Sequence, residues 1–358
     1  MRNLKCFLGK MNNILSEAIK SNIYNLLKVD KSHVVKIRIH EYNKRAFHSG
    51  KRPCAAVSIK YYDDCSFIKN DHIWVKKIDD PKMTFIKMQY IYNKLAQYSM
   101  SQHMPAPLHF DQKSRLIFLE QIFGFQLITE IMKHICHFPK NIPSWIKELF
   151  IDIGIWLRKF HLVMASQNKI FVSDIIEEVD SAIKSSIYFT ELQKKLIQKH
   201  LNCIKNRIDS KAFIDSVTPH NDFSLRNIIC DKKGNFSIID WDAMSHADFP
   251  KNASIWHDLT NFLINIQSLI KFYPFVSIMK MEFLINSFLT GYFDKSLKSF
   301  GSNLNDILYI FTLKAFVGLS GDRPLYEVYK KRLGFRFIYI LKKMLLNGKP
   351  CITKILAT

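Results

Sequence analysis

Apolar positions change their period several times along the first 125 residues. Residues 14–27 carry apolar side chains at helical spacing, and from Val34 the period falls to two. The alternating segments 34–40, 55–62 and 72–78 are predicted strands. After Pro81 the positions Phe85, Met88, Ile91, Tyr92 and Leu95 return to the helical period, and Pro105 and Pro107 break the chain before a last apolar run, 116–119. The expected product is an antiparallel sheet with one helix. From Leu127 to Phe213 the periodicity is almost wholly helical, clearest over 145–162 and 191–208, with turns near 138–143 and 171–174. This shift places a boundary near Glu120. It predicts a helical extension over 1–32, a sheet-bearing lobe over 33–120 and a largely helical lobe over 121–358, without repeats or low-complexity tracts.

One strand pair interrupts the helical part. Asn227-Ile228-Ile229-Cys230 and Ser237-Ile238-Ile239-Asp240 flank Asp231-Lys232-Lys233-Gly234-Asn235-Phe236, a segment rich in turn formers, and predict a hairpin. If Cys230 pairs with Ser237, Asn227 falls opposite Asp240, with Cβ atoms roughly 5 Å apart. An amide oxygen and a carboxylate converging in this way suit magnesium, which takes a few protein oxygens and fills its shell with water and phosphate. His220-Asn221-Asp222 lies one loop upstream and offers a general base beside the pair, as phosphoryl transfer to a hydroxyl requires. Any one of these residues alone reads as a turn cap or strand end. Their joint spacing is what points to chemistry.

Composition narrows the setting. A chain of 358 residues, 48% apolar and 23% charged, can bury a sizeable core. Seven scattered cysteines without a C-x-x-C pair suggest neither a zinc site nor a disulfide framework, and reduced thiols fit a cytoplasmic location. Asn12, Asn13, Ser16 and Glu17 interrupt any signal-peptide core, so secretion is not expected. The most apolar runs, 259–275 and 307–319, carry polar residues before reaching bilayer-spanning length and are predicted buried helices. A formal net charge of +21 favours phosphorylated or otherwise anionic partners through its long-range field, although a bias toward Lys, Ile, Asn and Phe accounts for part of it equally well.

His220-Asn221-Asp222-Phe223-Ser224-Leu225-Arg226-Asn227, followed by Ile239-Asp240-Trp241-Asp242, resembles the aminoglycoside phosphotransferase and choline kinase-like superfamily. Its loop reads His-x-Asp-x-x-x-x-Asn and its metal motif reads apolar-Asp-aromatic-acid. Met104-Pro105-Ala106-Pro107-Leu108 and the run 116–124 resemble that family's approach to the interlobe hinge. The segment 153–161 is similar to its helix ending in histidine, and Trp256-His257-Asp258-Leu259 to its later Asp-Leu element. Ile73-Trp74-Val75-Lys76 resembles the strand whose lysine reaches the ATP phosphates.

The resemblance implies an α+β, bilobal protein-kinase-like fold: an N-lobe with an antiparallel sheet plus helix, and a mostly helical C-lobe. It implies an ATP:alcohol phosphotransferase, a small-molecule kinase with ATP and Mg²⁺ as cofactors. Asp222 would be the general base, and Asn227 and Asp240 the magnesium ligands against the nucleotide. Lys76 would be the phosphate-contacting lysine, with Lys77 as competitor, and the backbone around Glu120 and Ile122 would hold adenine. His161 reads as a core histidine.

Two departures stand out. The helix after Lys76 offers Lys87-Met88-Gln89 where an acidic partner is expected, leaving Gln89 to orient the ammonium by a hydrogen bond. The phosphate-covering turn Ser49-Gly50-Lys51-Arg52-Pro53 has a single glycine. Only 17 residues separate Asp240 from Asp258, which leaves little room for a peptide-binding activation segment and favours a small acceptor. The basic C-terminal part repels cations, so a neutral or anionic sugar or glycan intermediate is the expected acceptor. Two other readings stay open: a catalytically weak ATP-binding pseudokinase or scaffold, and a kinase for a cationic aminoglycoside or choline-type acceptor. A nucleic-acid partner has only net charge behind it and is not expected. The stretch 336–346 reads either as a basic amphipathic helix for peripheral membrane contact or as a terminal packing helix.

Overall fold

The alternating segments near the N-terminus form strands β1 (Val34–Tyr42), β2 (Cys54–Tyr62) and β3 (Ile68–Lys77) in a computed structural model of the chain. They join β4 (Pro107–Asp111) and β5 (Leu116–Glu120) in a five-stranded antiparallel sheet of order β1-β2-β3-β5-β4. The structure describes residues 16–27, 34–42, 54–62, 68–136, 141–209, 212–241, 253–272, 275–294, 303–320, 342–343 and 345–348. They fall into two units, one of residues 1–123 with 237–247, the other of 124–236 with 248–358. The turn 49–53, Asp242 and most of 336–346 lie outside the described residues.

In the first unit, register sorts the two faces of the sheet. Val57 pairs with Ile73, and Val75 with Ala55 on one side and Phe118 on the other. The face formed by Val57, Ile59, Ile73, Val75, Leu116 and Phe118 packs against Ile19 and Ile23 of helix α1 (residues 16–27). Full burial of each isoleucine contributes about 1.5–3 kcal/mol. Helix α1 is therefore part of this core, and Asn22 ties it to β4 by donating to Asp111 Oδ2 at 3.0 Å. Helix α2 (Pro81–Ala96) begins with Asp80 accepting from the Met83 amide and with proline in its first turn. Strand β4, which the period of apolar positions did not predict, starts on Pro107, where a missing N–H is tolerated.

The second unit is mainly helical. Helices α3 (Leu127–Ile135), α4 (Ser144–Val163), α5 (Val172–Ser185), α6 (Glu191–Arg207), α7 (Trp256–Gln267), α8 (Ile278–Phe293) and α9 (Asn303–Ser320) follow the predicted periodicity. The segment Ala165–Phe171, expected within the helical run, is instead a strand, β7. It pairs antiparallel with Phe213–Val217 (β8), with Ile170 opposite Ile214. Its sequence Ala-Ser-Gln-Asn-Lys-Ile-Phe lacks an apolar stripe of helical period, and the ladder to β8 supplies the backbone partners a helix would have supplied. Phe125–Gln126 (β6) pairs with Ile228–Cys230 (β9), and Phe236–Ile238 (β10) follows the turn that Asp231 closes on Lys233 and Asn235. The short Ala253–Ser254 (β11) borders β8.

Candidate active site

Strand β8 delivers the chain into the loop carrying Asp222. The loop is fixed by side chains drawn from two helices of the second unit. Asp258, in the first turn of α7 and fully buried, accepts the His220 amide on Oδ2 at 2.8 Å and the Asn221 amide on Oδ1 at 3.0 Å. These two contacts hold a loop whose Asn221 takes a left-handed φ of 70°. Phe223, also fully buried, anchors the next position. Its ring stacks on Trp156 of α4 with centroids 6.3 Å apart and packs against Phe262 of α7 at 5.1 Å. Between these anchors Asp222 is exposed, so its carboxylate is open to solvent and ligand.

Asn227 closes the loop. Its Nδ2 donates to the Asp222 carbonyl and to Asp222 Oδ2, both at 2.9 Å. With the NH₂ group committed to Asp222, Asn227 Oδ1 has no protein donor among the described residues and is available to a cation. A hard oxygen of this kind, beside a carboxylate, fits magnesium. Asn227 lies in a short 3₁₀ turn, Leu225–Asn227, just before β9, rather than inside the expected strand.

Asp240 and Lys76 belong to the first unit, and their side chains meet in an ion pair. Asp240 lies beyond the end of β10 with a left-handed φ of 69°, so it too stands outside the strand predicted for it. Next to it Trp241 is buried and donates to the Ile238 carbonyl at 2.7 Å, which fixes the turn. Lys76 pairs across the sheet with Cys54 and Ile117. Burial pushes the Cys54 thiol pKa up; the Lys76 charge opposes this and the Asp240 charge adds to it. Gln89, expected to orient Lys76, donates to Asn93 at 2.9 Å along its own helix, while Lys87 occupies the buried face of α2. That expectation is corrected: the ammonium of Lys76 meets the carboxylate of Asp240 instead.

The hinge follows β5. Gln121 donates its amide to the His72 carbonyl, so Glu120, opposite Ile73, occupies the non-hydrogen-bonded position of the ladder. The Glu120 carbonyl therefore points away from β3. Its amide donates to the Ala106 carbonyl, and its carboxylate accepts the Ala106 amide at 3.1 Å. Ile122 is half-buried two residues further on.

Sequence reasoning missed Tyr292, whose hydroxyl lies 2.8 Å from His161 Nδ1. A partner 131 residues away leaves no local signal. Among the described residues no helix is long and apolar enough to cross a membrane, and no cluster of three or more His, Cys, Asp or Glu side chains could hold a metal.

No protein-family model matches the chain, and no curated protein sequence matches it. Solved structures do. A glucosamine kinase in complex with glucosamine, ADP and inorganic phosphate matches at 14% identity over 81% of this chain and 80% of that one, with a TM-score of 0.50. A second crystal form of glucosamine kinase matches at 13% identity over 91% and 82%, with a TM-score of 0.51. The choline kinase LicA from Streptococcus pneumoniae matches at 14% identity over 93% and 98%, with a TM-score of 0.46. With an antiparallel sheet and helix in one unit and a helical second unit bearing the Asp222 loop, the chain has the kinase-like fold of those glucosamine kinases.

Proposed function

We propose that the chain is an ATP-dependent phosphotransferase that moves the γ-phosphate to a hydroxyl of a small molecule, a neutral or anionic sugar or glycan intermediate. The observation that carries this reading is the clamp of Asn227 on Asp222. It aims an exposed carboxylate from a rigid loop while leaving an amide oxygen for a cation. Asp222 would accept the acceptor's proton as the hydroxyl attacks. Lys76 would exchange Asp240 for the nucleotide's phosphates, freeing that carboxylate for magnesium together with Asn227. Bound there, magnesium supplies neutralisation of phosphate charge. The Glu120 carbonyl, turned away from β3, and the Ile122 amide would hold the adenine edge.

A sugar acceptor is supported by the neighbour solved with glucosamine and ADP. A neutral or anionic one is supported by the net charge of +21, which disfavours polycations. The helix without an acid beside Lys76 favours a second reading, an ATP binder of weak turnover. Phosphate transfer measured across neutral sugars, sugar phosphates, amino sugars and aminoglycosides separates the two. The first reading expects magnesium-dependent transfer to sugars. ATP binding without transfer to any acceptor favours the second.

A further inference from the structure

Helix α8 reaches the Asp222 loop through one buried line of side chains. Tyr292 Oη lies 2.8 Å from His161 Nδ1, and His161 Nε2 lies 3.3 Å from Asp258 Oδ2. Asp258 in turn accepts the amides of His220 and Asn221, the two residues before Asp222. Tyr292, His161 and Asp258 are 5%, 3% and 0% exposed, so water does not compete for these contacts.

The donors can be assigned. A carboxylate has only lone pairs, so the His161 nitrogen facing Asp258 must carry a hydrogen. A neutral imidazole then presents Nδ1 as an acceptor, and the Tyr292 O–H donates to it. Burial, reinforced by the charge of Asp258, pushes the tyrosine's pKa up, so the hydroxyl keeps its proton. With Nδ1 held by Tyr292, the ring keeps the Nε2–H tautomer and cannot flip without leaving a buried donor or acceptor unmatched.

The packing of α4 and α8 delivers the hydroxyl to this position. A Cβ on Gly291 would lie 2.0 Å from the Ile151 carbonyl oxygen, and one on Gly154 would lie 2.3 Å from the Phe288 carbonyl oxygen. The two helices therefore touch backbone to backbone at these glycines. Tyr292 directly follows Gly291, and its ring meets that of His161 edge-on with centroids 5.7 Å apart.

We propose that Tyr292 is a positioning residue for the catalytic loop, acting through His161 and Asp258 to hold the His220 and Asn221 backbone and with it Asp222. Only the kinetic part of the test rests on the phosphotransferase reading.

Tyr292→Phe removes the hydroxyl and keeps the ring. Hydrogen exchange by mass spectrometry on a peptide spanning 217–227 is expected to speed up about tenfold in this variant, with peptides of α4 and α8 unchanged. In the same variant kcat should fall about tenfold while the KM for ATP stays within about twofold. Adding Tyr292→Phe to His161→Gln should change loop exchange no further, because the line is already cut. Wild-type exchange in the loop of Tyr292→Phe overturns the proposal, as does equal acceleration in α4 and α8 or additivity in the double variant. If His161→Gln does not fold, the Tyr292→Phe peptides decide by themselves. If the wild-type chain shows no turnover, the exchange result still settles the role of Tyr292, and the phosphotransferase reading fails separately.

Discussion

Burial alone would drive Asp258 to take up a proton. Against that desolvation, the hydrogen bond from His161, helped by the electrostatic influence of the nearby His257 and His220, holds its carboxyl below the ordinary carboxylate range. A pKa depressed by folding stabilises the native state above the unfolded value of about 3.9, and this contribution is lost as pH falls through the lower folded pKa. Asp258→Asn removes the charge while keeping the size. We expect it to cost roughly 3–5 kcal/mol at pH 7, because His161 and two loop amides lose a charged partner. Urea melts at pH 7 and pH 3 check this, since the gap between variant and wild type should narrow at the lower pH. A constant gap would mean that Asp258 is not ionised in the folded chain. Asp222, Asn227 and Asp240 stand out as candidates in the sequence because their local spacing carries the pattern, and Lys76 stands out through the resemblance of its strand. Tyr292 does not, because its partner is met only through tertiary packing.

Among the elements, the helices were the most legible, since an apolar stripe of period near four survives whatever they pack against. Strands β4 and β7 were not. One begins at a proline, and the other carries mostly polar side chains and is held by its ladder to β8. The predicted hairpin strands were too long at their outer ends. Asn227 turns through a 3₁₀ step and Asp240 takes a left-handed backbone, so both candidate side chains lie where the regular ladder stops. The crossing of α4 and α8 depends on the absence of two Cβ atoms. Gly291→Ala would force the helices apart against the Ile151 carbonyl. Overpacking of this kind costs typically about 1–3 kcal/mol, and a thermal melt should show the fall. An unchanged midpoint would mean that the helices can separate at no cost.

Over the whole molecule, the shift from period two to a helical period near Glu120 gave the sequence its division into sheet-bearing and helical parts. Nothing in that pattern indicated that residues 237–247 return to the first unit, bringing Asp240 to Lys76. Asp240 and Lys76 thus belong to the first unit, while Asp222 and Asn227 belong to the second. The most direct test follows γ-phosphate transfer from ATP to sugar acceptors with magnesium, comparing wild type with Asp222→Asn and measuring nucleotide affinity in both. The account predicts transfer by the wild type, a fall in kcat of at least about 10²-fold in the variant, and retained ATP affinity. Undiminished transfer by Asp222→Asn would contradict it.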